Sequence, residues 1–515
     1  MAQGNLSGSA GRALVLVGFM GSGKSSAARA LADGALDSDT LVERDTGLTV
    51  QRIFERDGES CFREIEERVV LDGLRRAAAG EGGGVISLGG GALASQNVRD
   101  ALKSHTVVLL DLDAEGCWQR VKGSARPLAS DWQAFEALFE ARRSAYSAAA
   151  DAIVPSDGLK VIREALPSVA KLAAAPRETR MVWANADSGS YPVFVGRGVL
   201  SHADLRPQRR SVLITDSTVA SLHCGSFADV LARIAIEPGE KAKNLATIGQ
   251  VWSQLAAAGT TRDDQVIAVG GGVVGDLAGF AAAAYQRGIP VTHVPTTLVA
   301  QVDSSLGGKT GVDIPEGKNY IGAYHQPDAV ITDVDTLETL PPEERAAGMA
   351  EVIKTALIAG GPLWQQVARS ATVGVDEIVE CVRLKLSVVA ADERDGGRRQ
   401  VLNLGHTIGH AIETATSYAR LRHGEAVSIG LMAALRLSGA EELRSQVGEL
   451  LAEAGLPLQI GGVDPQTVID LISADKKARS DGTIPFVFCD RPGNATHGNE
   501  VSPTDLRFAV EEVCG

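Results

Sequence analysis

Three groups of residues in this 515-residue chain have types and spacings suited to chemistry. The first, Gly18-Phe-Met-Gly21-Ser22-Gly23-Lys24-Ser25, fits G-x-x-x-x-G-K-[ST]. In such a loop successive backbone N–H groups cradle phosphates, the Lys24 ammonium reaches the β- and γ-phosphates, and the Ser25 hydroxyl can ligate Mg2+. Asp37 and Asp39 follow the apolar pair Ala35-Leu36, so one carboxylate can reach that metal and the other an acceptor hydroxyl. The second group is Gly270-Gly271-Gly272, entered from the apolar run 266–269 and followed by Asp276. Backbone without side chains lets a dinucleotide pyrophosphate approach a strand end and rest on a helix N-terminus. The spacing is not G-x-G-x-x-G, and glycines alone indicate only a turn. Arg287, Lys309, Lys318 and Asn319 then arrive on segments rich in Gly, Pro, Ser and Thr, where cations can point at an anion. The third group is His406, His410 and His423, preceded by Glu351 and Lys354 one helical turn apart. Three of the chain's nine histidines in so short a window, with a carboxylate, indicate a metal site. On spacing alone the i,i+4 pair selects His406 and His410 as ligands.

These groups require particular elements beneath them. A strand over 13–17 must feed the phosphate loop and a helix must follow it. Residues 191–195 and 212–215 read as strands of a second α/β region, the latter ending at Asp216, where a nucleotide ribose can be hydrogen-bonded. Beyond about residue 335 the pattern turns helical. Between them, 167–180 is rich in Ala, holds Pro167 and Pro176, and reads as the end of a helix followed by an exposed linker. The expected fold class is α/β. A P-loop parallel-sheet domain (1–166) and the linker (167–180) precede a Rossmann-like dinucleotide-binding domain (181–335) and a mainly helical metal- and substrate-binding domain (336–515).

Several motifs together identify families. Asp37-Ser-Asp39, Phe62-Arg63-Glu64 and Ser87-Leu-Gly89-Gly90-Gly91, behind the phosphate loop, resemble shikimate kinase. The resemblance implies ATP with Mg2+ as co-substrate and Asp37 on the magnesium side. It also implies that Asp39 and Arg63 hold the shikimate hydroxyls and carboxylate, with Gly89 to Gly91 behind the ring. Arg126 matches the lid arginine and Arg142 a further carboxylate ligand. Two departures stand out. The segment from Lys24 to Asp37 is shorter than the family pattern, which would offset the strand carrying the aspartates. The tail Arg142-Arg143-Ser-Ala-Tyr146 lacks the family's proline, so Arg142 and Arg143 compete for one role.

From Gly270 onward GGGVVGDLAGF, YQRG, PTTL, VDSSLGGKTGV and GKN resemble 3-dehydroquinate synthase in order and spacing. The resemblance implies NAD contacts from Asp216, Glu240, Lys243, Gly271, Gly272, Asp276, Thr296 and Thr297. It names Glu351, His406 and His423 as metal ligands and leaves His410 for the substrate. One carboxylate and two imidazoles leave an open position, the catalytic arrangement for Zn2+, with Co2+ compatible. Lys309, Lys318, Asn319, Arg399, Asn403 and Lys476 would bind the phosphate and carboxylate of 3-deoxy-D-arabino-heptulosonate 7-phosphate. Lys354 and Lys385 would touch its other oxygens, and Asp303 would position the group being oxidised. Arg287 would enter a partner's active site, making a homodimer. Asp313 stands where many relatives have Asn.

Composition sets outer bounds. A formal charge of −14 argues against nucleic-acid and anionic-membrane surfaces. Six scattered cysteines without a C-x-x-C pair suggest neither disulfides nor thiolate zinc, and point to a reducing cytoplasm. No apolar run reaches membrane-spanning length. Aromatics supply only 4% of residues while Gly and Ala abound, so cores should rely on close helix-to-sheet approach. The competing reading is an NAD- and metal-dependent polyol dehydrogenase fused to a non-catalytic nucleotide-sensing P-loop module.

Overall fold

The computed structural model describes residues 11–123, 131–474 and 484–515; the expected sites Arg126 and Lys476 lie outside them. The chain forms two compact units that divide after Asn185.

In the first unit short apolar runs make strands β1 (Leu14–Val17), β2 (Leu36–Asp37), β3 (Val85–Ser87), β4 (Thr106–Asp111), β5 (Ala152–Pro155) and β6 (Arg180–Ala186). Their order is β2-β3-β1-β4-β5-β6, with parallel pairing. β1 is buried along its whole length, as a strand covered on both faces must be. It lies between β3 and β4, so the loop leaving it opens where the strand order reverses, the place ligands occupy in open α/β sheets. The shortened segment before Asp37 does not displace that residue from the strand end: Asp37 lies beside Ser87 in register. The stretch expected as a linker begins inside a helix, Leu159–Lys171, which runs through Pro167 and buries Val169.

In the second unit β7 (Gly189–Gly196), β8 (Ser211–Asp216), β9 (Ala232–Ile236), β10 (Gln265–Gly270), β11 (Val291–Pro295) and β14 (Ala329–Asp333) form a parallel sheet ordered β7-β14-β11-β10-β8-β9. Strands β12 (Lys309–Ile314) and β13 (Gly317–Tyr324) make a separate antiparallel hairpin. Asp216 and Gly270 end the adjacent strands β8 and β10, again at the switch in strand order. The helix that follows, Gly272–Ala284, is rich in Gly and Ala and packs close: a Cβ on Gly279 would stand 2.4 Å from Thr310. After β14 the chain is mostly helical, led by Pro342–Ala359, Val375–Ala391, His406–Ala415 and His423–Leu437. Among the described residues no helix is long and apolar enough to cross a membrane. All six cysteines are free.

Candidate active sites

In the helical part of the second unit, Glu351 lies on the buried Pro342–Ala359 helix, while His406 and His423 are the first residues of their helices. Helix contact this close needs glycine. A Cβ on Gly424 would stand 1.9 Å from the Ala347 carbonyl oxygen, so the backbones touch where His423 must meet Glu351. His406 Nε2 and His423 Nε2 lie 3.4 and 3.5 Å from the same oxygen, Glu351 Oε1. The far nitrogens are held: His406 Nδ1 is 3.2 Å from the Leu404 carbonyl and His423 Nδ1 is 3.5 Å from Glu413. Such outer partners fix the tautomer that aims Nε2 lone pairs at a metal.

Neither oxygen of Glu351 makes a hydrogen bond of ordinary geometry although the residue is buried; its neighbours are the two imidazoles and Lys354 Nζ at 2.5 Å. Burial opposes its ionisation, but Lys354 and His406 outweigh it and hold the carboxyl well below its ordinary value. This donor set fits Zn2+ or Co2+. His410 is also near, since nitrogens of His406, His410 and His423 lie within 4.8 Å of one another. We nevertheless favour the Glu351-centred set over the i,i+4 pair, because it adds a buried, ionised carboxylate oxygen that two imidazoles face.

Cations surround this centre. Lys385 meets Asp303 and Lys309 meets Asp395, each at 2.5 Å. Burial pulls Lys385 below its ordinary value, against Asp303. Arg399 is buried and spans the carbonyls of Glu393 and Gly307, and Asn403 ends the same short helical turn. Lys318 reaches within 3.7 Å of Glu240 and 3.6 Å of Glu413, with its ammonium 4.2 Å from the Tyr418 ring centre. Toward the sheet, Lys243 gathers Glu240 (2.8 Å), Asp276 (3.3 Å) and Asp313 (3.8 Å). Burial raises Asp276 to about 6 despite Lys243. Asp216 caps its helix through the Thr218 and Val219 amides. Gly271 faces Thr297 so tightly that a Cβ would stand 2.9 Å from Cγ2, Gly272 faces Ser304, and the Thr296 amide bonds the Gly270 carbonyl. Arg287 is exposed, beside the turn residue Gln286, both at positive φ.

In the first unit Gly18, Gly21 and Gly23 have φ of 144°, 89° and 84°, the wrap that turns amides inward. Ser22 is buried, Lys24 folds its ammonium onto the Phe19 carbonyl at 2.9 Å, and Ser25 opens the helix beside it. Asp37 accepts from the Thr40 amide and from the Ser87 hydroxyl at 2.8 Å. Asp39 Oδ1 lies where a Cβ on Gly89 would be 2.6 Å away, and a Cβ on Gly91 would fall 2.0 Å from the Arg63 guanidinium. Arg142 donates to the Gly90 carbonyl at 2.8 Å, while Arg143 pairs with Glu140 at 3.8 Å; the geometry brings Arg142, not Arg143, to the site.

Some neighbours had no motif to announce them. Glu66, buried and 2.5 Å from Arg63, is pushed up by burial against the pull of that arginine; only its i,i+3 spacing marked it. Arg120 reaches the Ser156 hydroxyl (3.0 Å) and the Gly21 carbonyl (3.4 Å) from 99 residues beyond the loop. Glu413 and Asp395 likewise look in sequence like surface charges.

A shikimate kinase family model matches residues 20–170, and models of the N-terminal and C-terminal domains of 3-dehydroquinate synthase match 233–347 and 348–478. The chain is 41% identical over 351 residues to 3-dehydroquinate synthase of Symbiobacterium thermophilum, covering 62% of this chain and 97% of the relative. It is 43% identical over 351 residues to that of Geobacter metallireducens, covering 63% and 96%. Among solved structures, 2-deoxy-scyllo-inosose synthase with carbaglucose-6-phosphate, NAD+ and Co2+ is 27% identical, with a TM-score of 0.58 over 65% of this chain and 100% of that one. The 2-epi-5-epi-valiolone synthase of Streptomyces hygroscopicus, with NAD+ and Zn2+, is 26% identical, with a TM-score of 0.58 over 64% and 98%.

Proposed function

Because the chain belongs to the 3-dehydroquinate synthase family and carries a shikimate kinase domain, we propose that one polypeptide catalyses two steps of the shikimate pathway. Its N-terminal half transfers the γ-phosphoryl of ATP to the 3-hydroxyl of shikimate. Its C-terminal half converts 3-deoxy-D-arabino-heptulosonate 7-phosphate to 3-dehydroquinate with release of phosphate. The observation that carries the second assignment is the convergence of Glu351, His406 and His423 beside a cation cluster and a dinucleotide turn.

In the kinase half Lys24 neutralises charge on the transferring phosphoryl, Ser25 and Asp37 hold Mg2+, and Asp39 orients the acceptor hydroxyl and takes its proton. Arg63 and Arg142 bind the carboxylate, and Arg126, which matches the family's lid arginine, helps neutralise the phosphate charge. In the synthase half Lys309, Lys318, Asn319, Arg399, Asn403 and Lys476 hold the phosphate and carboxylate. Lys354, Lys385 and Asp303 orient the hydroxyl to be oxidised, and His410 faces the substrate. When bound, NAD supplies a hydride acceptor restored within each turnover, and Zn2+ or Co2+ supplies Lewis acidity. NAD and such metals in the neighbouring synthase structures support both groups here. The enzyme acts in the cytoplasm as a homodimer through its synthase half, with Arg287 of each subunit reaching the other's site.

The polyol dehydrogenase reading is the less supported. It requires NADH to accumulate, whereas a synthase leaves the 340 nm absorbance flat, ~zero net change, because the hydride returns. Purified protein should release phosphate from the heptulosonate phosphate without net NADH and form ADP only when shikimate is present. Net NADH, or ADP formation indifferent to shikimate, would overturn the assignment.

A further inference from the structure

Asp313 stands at an irregularity of the β12–β13 hairpin. Val312 pairs with Ile321 and Ile314 with Gly317, so Lys318, Asn319 and Tyr320 all oppose this one residue. A bulge of this kind breaks the ladder and re-aims side chains. Here the displaced bonds run in two directions. The Asp313 amide donates to the Lys243 carbonyl at 2.9 Å, and Asp313 bridges Asn244 in parallel. Its Oδ1 accepts the Asn319 amide at 2.8 Å. Asn319 has φ of 53°, a left-handed conformation that Asn tolerates better than other side-chain-bearing residues. The same Oδ1 lies 3.8 Å from Lys243 Nζ, which also meets Glu240 and Asp276. Next to Asn319, Lys318 points between Glu240 and Glu413.

We propose that Asp313 is a positioning residue that ties the substrate turn, Lys318 and Asn319, to the cofactor-side group of Lys243, Glu240 and Asp276. The inference rests on the synthase assignment of those residues. Its physical basis is the double attachment: backbone to Lys243, side chain to Asn319. The side-chain oxygen of Asp313 accepts an amide that the bulge leaves without a ladder partner. Without it Asn319 is free to leave the left-handed region, and Lys318 swings away from the substrate anion. The cofactor side keeps its other contacts, because Lys243 retains Glu240 and Asp276.

The test uses the full-length, Zn2+-loaded, NAD-containing protein and two variants, Asp313→Ala and Asp313→Asn. Asp313→Ala should raise the KM for the heptulosonate phosphate on the order of tenfold, with kcat and the NAD Kd each changing by less than about threefold. Asp313→Asn should restore KM to within about threefold of the unmodified chain, since its amide oxygen still accepts the Asn319 N–H. An Asp313→Ala KM within about twofold of the original overturns the inference. So does an Asn variant as impaired as the Ala variant, or a loss confined to kcat with a fall in Tm, which marks plain destabilisation. An unmodified chain that forms no dehydroquinate overturns the synthase assignment itself, a separate and recognisable failure.

Discussion

Glu413 shows how one side chain can set the chemistry of another. Its carboxyl is held near 2 although burial opposes this, because His423 and Lys318 outweigh the desolvation. Held ionised beside His423 Nδ1, it keeps the proton on that nitrogen and turns Nε2 toward Glu351. Glu413→Ala should weaken Zn2+ binding by roughly 10- to 100-fold, read by competition with a chelator, while His423→Ala should leave no metal at ordinary concentrations. Full metal content in His423→Ala would remove it from the ligand set. In the other site, Lys24→Ala should lower shikimate phosphorylation on the order of 10³-fold and leave dehydroquinate formation unchanged. Near wild-type phosphorylation would show that the cradle is not the site of transfer.

A buried histidine outside both proposed sites links stability to pH. His293 lies buried in β11, its Nδ1 without a hydrogen-bond partner, beside Gly275 and Gly279 with His325 nearby. Burial, with a smaller push from His325, lowers it from 6.5 to about 4. The unfolded chain therefore binds the proton first. The stability this neutral histidine contributes is present above about pH 6.5 and is lost as pH falls toward 4, on the order of 3 kcal/mol. Melting curves of wild type and His293→Asn should converge as pH drops through that window. Parallel curves would exclude the effect.

At the scale of elements, the proposed metal centre depends on backbone approach between helices. Pro342–Ala359 and His423–Leu437 touch at Ala347 and Gly424, and a methyl there has nowhere to go, since the neighbour it meets is a carbonyl oxygen 1.9 Å away. Gly424→Ala must separate the helices and carry His423 away from Glu351. We expect a fall in Tm together with loss of bound Zn2+, of at least about 2 kcal/mol by analogy with overpacked cores. Unchanged metal content would show that the helices accommodate the methyl by sliding and that their contact does not set the centre.

For the whole molecule, two catalytic halves on one chain need not be coupled. Dehydroquinate is not the acceptor of the kinase half, since it must first be dehydrated and reduced, so a channel between the sites would deliver the wrong molecule. Saturating ATP and shikimate should therefore leave the synthase KM unchanged. A change beyond about tenfold, roughly 1.4 kcal/mol of coupling, would contradict independence. The proposed dimer is open to a sharper test. Mixing Arg287→Ala with Lys309→Ala protein should restore activity through one intact site per mixed dimer. An active species that is monomeric by light scattering would refute the sharing of Arg287.

The phosphate cradle, the glycine turn after β10 and the alternation of strands and helices were legible in the residues themselves, because backbone geometry and hydrophobic period are local properties. Residue spacing also brought His406, His410 and His423 into one window, yet spacing alone favoured the i,i+4 pair. The family resemblance already named Glu351, His406 and His423; what the tertiary structure adds is that both Nε2 atoms face one oxygen of Glu351, through helix contacts at Gly424 and with Leu404 and Glu413 behind the rings. Likewise only the folded chain shows that Arg142 reaches the Gly90 carbonyl while Arg143 pairs with Glu140. Arg120 lies 99 residues from Gly21, and Asp313 lies in a bulge facing Lys243. Those neighbours are made by chain crossings and a register shift, which no local pattern of residues encodes.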